Sequence, residues 1–76
     1  MMNKEKLLNI LVDINPDIDY EKETKLVDSG LFDSLEVMSI VMEVEDCFHV
    51  EIDPEDVIAE NFNSVDNILN LIEKNL

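Results

Sequence analysis

The periodicity of residues 33–48 constrains this 76-residue chain more than any other feature. With Val37 at zero on a helical wheel of about 100° per residue, Ile40, Val41, Val44 and Phe48 fall within about 60° of it, with Cys47 just outside. That spacing predicts a core-facing helix. Leu35, Met38 and Met42 make a second apolar stripe, about 100–160° away, which burial of the first does not require. One stripe is enough to fold a helix, so the second asks for a partner. The helix start is also written in the chain. Asp33 followed three residues later by Glu36 is a capping-box pattern with a carboxylate at the cap, and both acids suit the positive end of the helix dipole. Ser34 therefore lies in the first turn, at a loop–helix junction that leaves its hydroxyl reachable. Its plainer role there is that of a second capping residue.

The flanking segments read as further helices. Lys4 to Ile14 carries Leu7, Ile10, Leu11 and Ile14 on one face, widened by Leu8 and Val12, with Asn3 as cap and Asn15-Pro16 as stop. Residues Asn15 to Phe32 form a long connection, which suits two helices running in a similar direction and needing a crossover. Tyr20, Leu26, Val27, Leu31 and Phe32 are expected to pin it, with Gly30, the single glycine, at a positive φ. Asp53-Pro54-x-Asp56 starts a short third helix, about Pro54 to Glu60, offering Val57 and Ile58 to the core. Ser64 caps a fourth helix bearing Val65, Ile68, Leu69, Ile72 and Leu76. The expected fold is all-α, a single-domain four-helix bundle over residues 1–76 with three longer helices and a short third one.

Charge narrows the function. Nineteen Asp and Glu face five Lys and Arg, a net charge of −14. Nucleic acids and anionic membranes are excluded as partners, because both require Lys and Arg. Proteins with basic patches fit, reached by electrostatic steering. No run approaches the ~20 apolar residues of a membrane span, and the amino end Met1–Lys6 lacks a signal-peptide pattern. One cysteine, read as a buried structural thiol, precludes an internal disulfide and fits a reducing cytoplasm.

Catalytic readings fail on spacing. The only histidine, His49, is fifteen residues from Ser34 on the same helix, roughly 22 Å at 1.5 Å per residue, so no nucleophile–base pair forms. It reads as a solvated residue at the helix carboxyl end. Asp13, Asn15, Asp17 and Asp19 occupy positions 1, 3, 5 and 7 of an EF-hand-like frame, but Ile18 and Thr24 stand where glycine and the bidentate glutamate are needed. No metal site is expected.

The string Asp33-Ser34-Leu35-Glu36-x-Met38-x-Ile40-Val41-Met42 resembles the Asp-Ser-Leu motif of acyl carrier proteins and the start of their second helix. The Ser34–Phe48 spacing, the Val50-Glu51-Ile52 turn and Asp53-Pro54-Glu55 also fit, so the resemblance covers essentially the whole chain. It implies a non-enzymatic carrier. A Mg²⁺-dependent phosphopantetheinyl transferase would move 4′-phosphopantetheine from coenzyme A onto Ser34, beside Asp33, and the arm's thiol would hold acyl cargo as a thioester. Leu35, Met38 and Met42, flanked by Glu36, Glu45 and Asp46, would then dock a monomeric carrier onto the basic patches of loading ligases and synthases. Ser39 departs from the family, where an acid is common. Fatty acid biosynthesis is one implied setting. The Gly30-Leu31-Phe32-Asp33-Ser34 approach is nearer to D-alanyl carriers and to stand-alone carriers served by adenylating ligases, so an aminoacyl or peptidyl cargo is the alternative; D-alanyl carriers commonly have a late tryptophan, absent here. Readings of other classes are an unmodified acidic interaction module and a divalent-ion buffer.

Overall fold

The 3.6-residue apolar repeat at the amino end becomes α1, Asn3–Ile14, in the computed structural model, which describes residues 3–76. Met1 and Met2, part of the amino-terminal stretch read above, lie outside the described residues. Leu7, Ile10 and Leu11 are buried and Leu8 and Ile14 pack against them. Val12, expected to widen that face, is exposed. Asn3 is the first residue of the helix rather than its cap.

The connection of residues 15–33 leads into α2, Ser34–Phe48. It does not serve as a crossover between helices of similar direction. Asn15, just past the end of α1, bonds to Glu36 at the start of α2, while Lys6 near the start of α1 lies 5.7 Å from the centre of the Phe48 ring at the end of α2. The two helices are antiparallel. The connection reaches Asn63, just ahead of the last helix, where the Leu26 N–H donates to the Asn63 carbonyl at 2.8 Å, before it comes back to the start of α2. Tyr20, Leu26 and Phe32 are buried in it, the rings of Tyr20 and Phe32 6.1 Å apart, whereas Leu31 stays exposed. Gly30 has the expected positive φ of 85°.

The third helix differs from expectation. Residues Pro54–Asp56 form a 3₁₀ turn, Ile58 is extended, and α3 is the single turn Ala59–Phe62. Proline gives the turn a start without wasting an amide, and Asp53 caps it by accepting from the Glu55 N–H at 2.9 Å. The Asn61 amide then donates to the Asp56 carbonyl at 2.7 Å, drawing a 3₁₀ turn and a helical turn together in place of one continuous helix. Val57 packs partly on the core, Ile58 does not, and Phe62 takes the core position instead.

Ser64 caps α4, Val65–Lys74, accepting from the Asn67 N–H at 3.1 Å. Val65, Ile68 and Ile72 are buried as the stripe requires, joined by Leu71, with Leu69 partly so. Leu76 lies past the helix end and is 67% exposed. The result is an all-helical fold with three longer helices and one short one around a single core.

Candidate functional site

The junction at Asp33–Ser34 is held from three sides. The expected capping box is present: the Glu36 N–H donates to Asp33 Oδ1 at 2.8 Å and the Asp33 N–H donates to Glu36 Oε1 at 3.2 Å. Asp33 itself is extended, as a cap must be. The second Glu36 oxygen accepts from Asn15 Nδ2 at 3.2 Å, which ties the cap to the end of α1. In the sequence Asn15 reads as a helix stop and as a member of the incomplete EF-hand-like frame, not as a partner of Glu36. The phenol of Tyr20 donates toward the Asn15 and Leu11 carbonyls at 2.7 and 2.9 Å, closing the carboxyl end of α1. Burial, with the negative charge of Glu36 nearby, pushes the Tyr20 hydroxyl up to about 12.

Ser34, the first residue of α2, is exposed, and none of these junction bonds uses its hydroxyl. The two stripes of α2 separate as the wheel predicts. Ile40, Val41, Val44 and Phe48 are buried and Val37 partly so, whereas Leu35, Met38 and Met42 are 78%, 50% and 66% exposed. Cys47, read as a buried thiol, is exposed, because its position at the stripe's edge turns it outward. Of the acids beside the stripe, Asp46 is exposed, Glu36 is engaged in the cap, and Glu45 turns back to accept the Ile52 N–H at 2.9 Å. That bond folds the chain over after α2, whose C-cap, His49, is exposed in the left-handed region at φ 56°.

A groove of about 540 Å³, within the range of about 300–1,000 Å³ typical of small-molecule sites, opens beside Ser34. Phe32, Val37 and Met38 form one side; Val57, Ile58 and Phe62 form the other. The far side was not legible as part of a site, since Val57 and Ile58 read as core positions of a short helix and Phe62 carried no reading. Asn63 was also missed. It is the only buried polar residue among those described, and its side chain grips the loop ahead of Ser34. Nothing local in the sequence points from residue 63 to partners 35 and 36 residues earlier. In the loop after α1, Asn15 and Asp19 accept the N–H groups of Asp17 and Glu21, as turn-forming side chains do, and among the described residues no three His, Cys, Asp or Glu side chains converge on a point.

The chemistry open to this site is limited to what a lone, accessible hydroxyl offers. The only histidine, His49, caps the opposite end of α2, and the carboxylates beside Ser34, those of Asp33 and Glu36, are engaged in the capping box. The groove is lined mostly by apolar side chains. A family model described as a phosphopantetheine attachment site matches residues 5–72. No curated protein and no solved structure matches the chain.

Proposed function

The chain belongs to the phosphopantetheine attachment site family, domains to which 4′-phosphopantetheine is joined covalently, and from that premise we propose that Ser34 is the attachment point and the protein a carrier of acyl groups. The observation that carries this reading is Ser34, exposed at the start of a capped helix and lining a largely apolar groove. The arm, once attached, supplies a terminal thiol able to hold cargo. Every other task falls to this chain's own residues. The start of α2 offers a phosphodiester the positive end of a fifteen-residue helix. Asp33 and Glu36 keep that helix start rigid, and the outer Asp33 carboxylate is open to the metal or basic residues of a transferase. The apolar lining of the groove favours cargo with an aliphatic part over a polar aminoacyl group.

Carriers must be handed between enzymes, which requires contact that forms fast and breaks easily. Leu35, Met38 and Met42 supply an adaptable apolar patch, and Asp46, with Glu36 and Glu45 at its margins, supplies charge for partner Arg and Lys. The exposed Cys47 thiol suits a reducing cytoplasm. Incubation with coenzyme A, Mg²⁺ and a broad-specificity phosphopantetheinyl transferase, followed by intact-mass measurement, tests the assignment. The wild type gains one phosphopantetheinyl group and Ser34→Ala gains none. A wild type left unmodified by a competent transferase overturns the carrier reading; a modified Ser34→Ala overturns the site.

A further inference from the structure

Asn63 joins the two sides of the groove. Its Oδ1 accepts the Val27 and Asp28 N–H groups at 2.9 and 3.0 Å, its Nδ2 donates to Asp28 Oδ2 at 3.1 Å, and its carbonyl accepts the Leu26 N–H at 2.8 Å. Asn63 is 9% exposed while Asp28 lies at the surface, so these bonds are partly shielded from water. The Phe32 N–H returns to the Leu26 carbonyl at 2.9 Å, so the clasped segment runs straight into the Asp33–Ser34 junction. On the other side Asn63 directly follows Phe62, the last residue of α3. One side chain thus holds the loop that ends at Ser34 against the short helix that forms the opposite side. A helix of four residues has almost no stability of its own, and α3 is otherwise held by the burial of Phe62 and by the side-chain bonds from Asn61 to the Asp56 carbonyl and from Asn67 to the Glu60 carbonyl.

We propose that Asn63 is a positioning residue that keeps this groove closed enough to shelter attached cargo, and so determines whether a chain long enough to enter it is protected. The proposal rests on the carrier reading above. Replacing Nδ2 with a second oxygen, as in Asn63→Asp, preserves shape and both amide acceptors but sets a carboxylate against that of Asp28. Exchanging the pair, Asp28→Asn with Asn63→Asp, restores one donor and one acceptor across the gap. A purely steric role for residue 63 would be indifferent to that exchange.

The test loads acetyl- or octanoyl-phosphopantetheine onto the protein from the corresponding acyl-coenzyme A, then adds hydroxylamine. Its nitrogen attacks the thioester carbonyl, the C–S bond breaks, and the thiol leaves with the proton that nitrogen loses, giving a hydroxamate. In the wild type the octanoyl group reacts more slowly than the acetyl group. In Asn63→Asp that difference shrinks by about tenfold, the scale expected when a partly buried hydrogen bond to a charged group is replaced by repulsion. The exchanged double variant recovers most of it. Amide exchange of the unmodified proteins at Val27 and Asp28 follows the same order, fast in Asn63→Asp and slowed again in the double variant. Equal acetyl and octanoyl rates in the wild type overturn the sheltering role without touching the carrier reading. An unchanged octanoyl-to-acetyl ratio in a folded Asn63→Asp protein, or no recovery in the double variant, overturns the role of Asn63. Failure to load any arm is a failure of the carrier reading, and exchange at Val27 and Asp28 then still decides whether the clasp exists.

Discussion

Tyr20 shows how single side chains organise the junction. Its hydroxyl closes two carbonyls at the end of α1, and its ring lies against Phe32. Burial first, and the Glu36 carboxylate second, raise its ionisation from 10.0 to about 12. The folded state therefore favours the neutral phenol. This contribution is intact below pH 10, where the unfolded phenol is also neutral, and is lost as pH rises to about 12. Because Tyr20 is the only tyrosine, ultraviolet titration reports it alone. We expect a midpoint near 12, and between pH 10 and 12 a steeper fall in denaturant midpoint for the wild type than for Tyr20→Phe. A midpoint at the ordinary value would contradict the buried, doubly bonded phenol. At this scale the sequence was legible only where partners are close along the chain. The Asp33–Glu36 cap spans three residues and could be read; the Asn15–Glu36 and Asn63–Asp28 pairs span 21 and 35 and could not.

At the scale of elements, α2 carries two faces with opposite demands. Ile40 is wholly buried, so Ile40→Ala should cost ~2–5 kcal/mol in urea unfolding. Met42 is largely exposed, so Met42→Ala should stay within about 0.5 kcal/mol of the wild type while raising the transferase KM for the carrier. Equal stability losses in the two variants would show that the stripes are not distinct. Wheel geometry made this helix readable, because one period and one cap agreed. The third segment was readable only as a helix start. Asp53 and Pro54 do begin a turn, but continuation depends on tertiary pull, and Phe62 is drawn to the core while Ile58 is left outside. Direction was misread for a similar reason: loop length bounds how far a chain travels, not the face on which it returns.

Across the whole molecule, acid dominates. Nineteen carboxylates meet five cations, and only two ion pairs form among the described residues, Lys4–Asp66 at 3.9 Å and Lys74–Asp56 at 3.6 Å. Exposed pairs of this kind contribute about 0–1 kcal/mol and do not offset repulsion across a surface this size. Adding salt at about 0.1 M, where screening acts over about 10 Å, should raise the melting temperature by several degrees, and Mg²⁺ should do so at lower concentration. A flat or falling trend would mean that the acids are already neutralised in the fold. The antiparallel arrangement of α1 and α2 leaves the outward stripe of α2 uncovered along its length. Met38 and Met42 stand four and eight residues from Ser34, about 6 and 12 Å along one rod. On the proposed carrier reading, handle and hook are cut from a single stiff bar: an enzyme that grasped the methionines would already be gauged to the serine, with no hinge between them to blur the measurement.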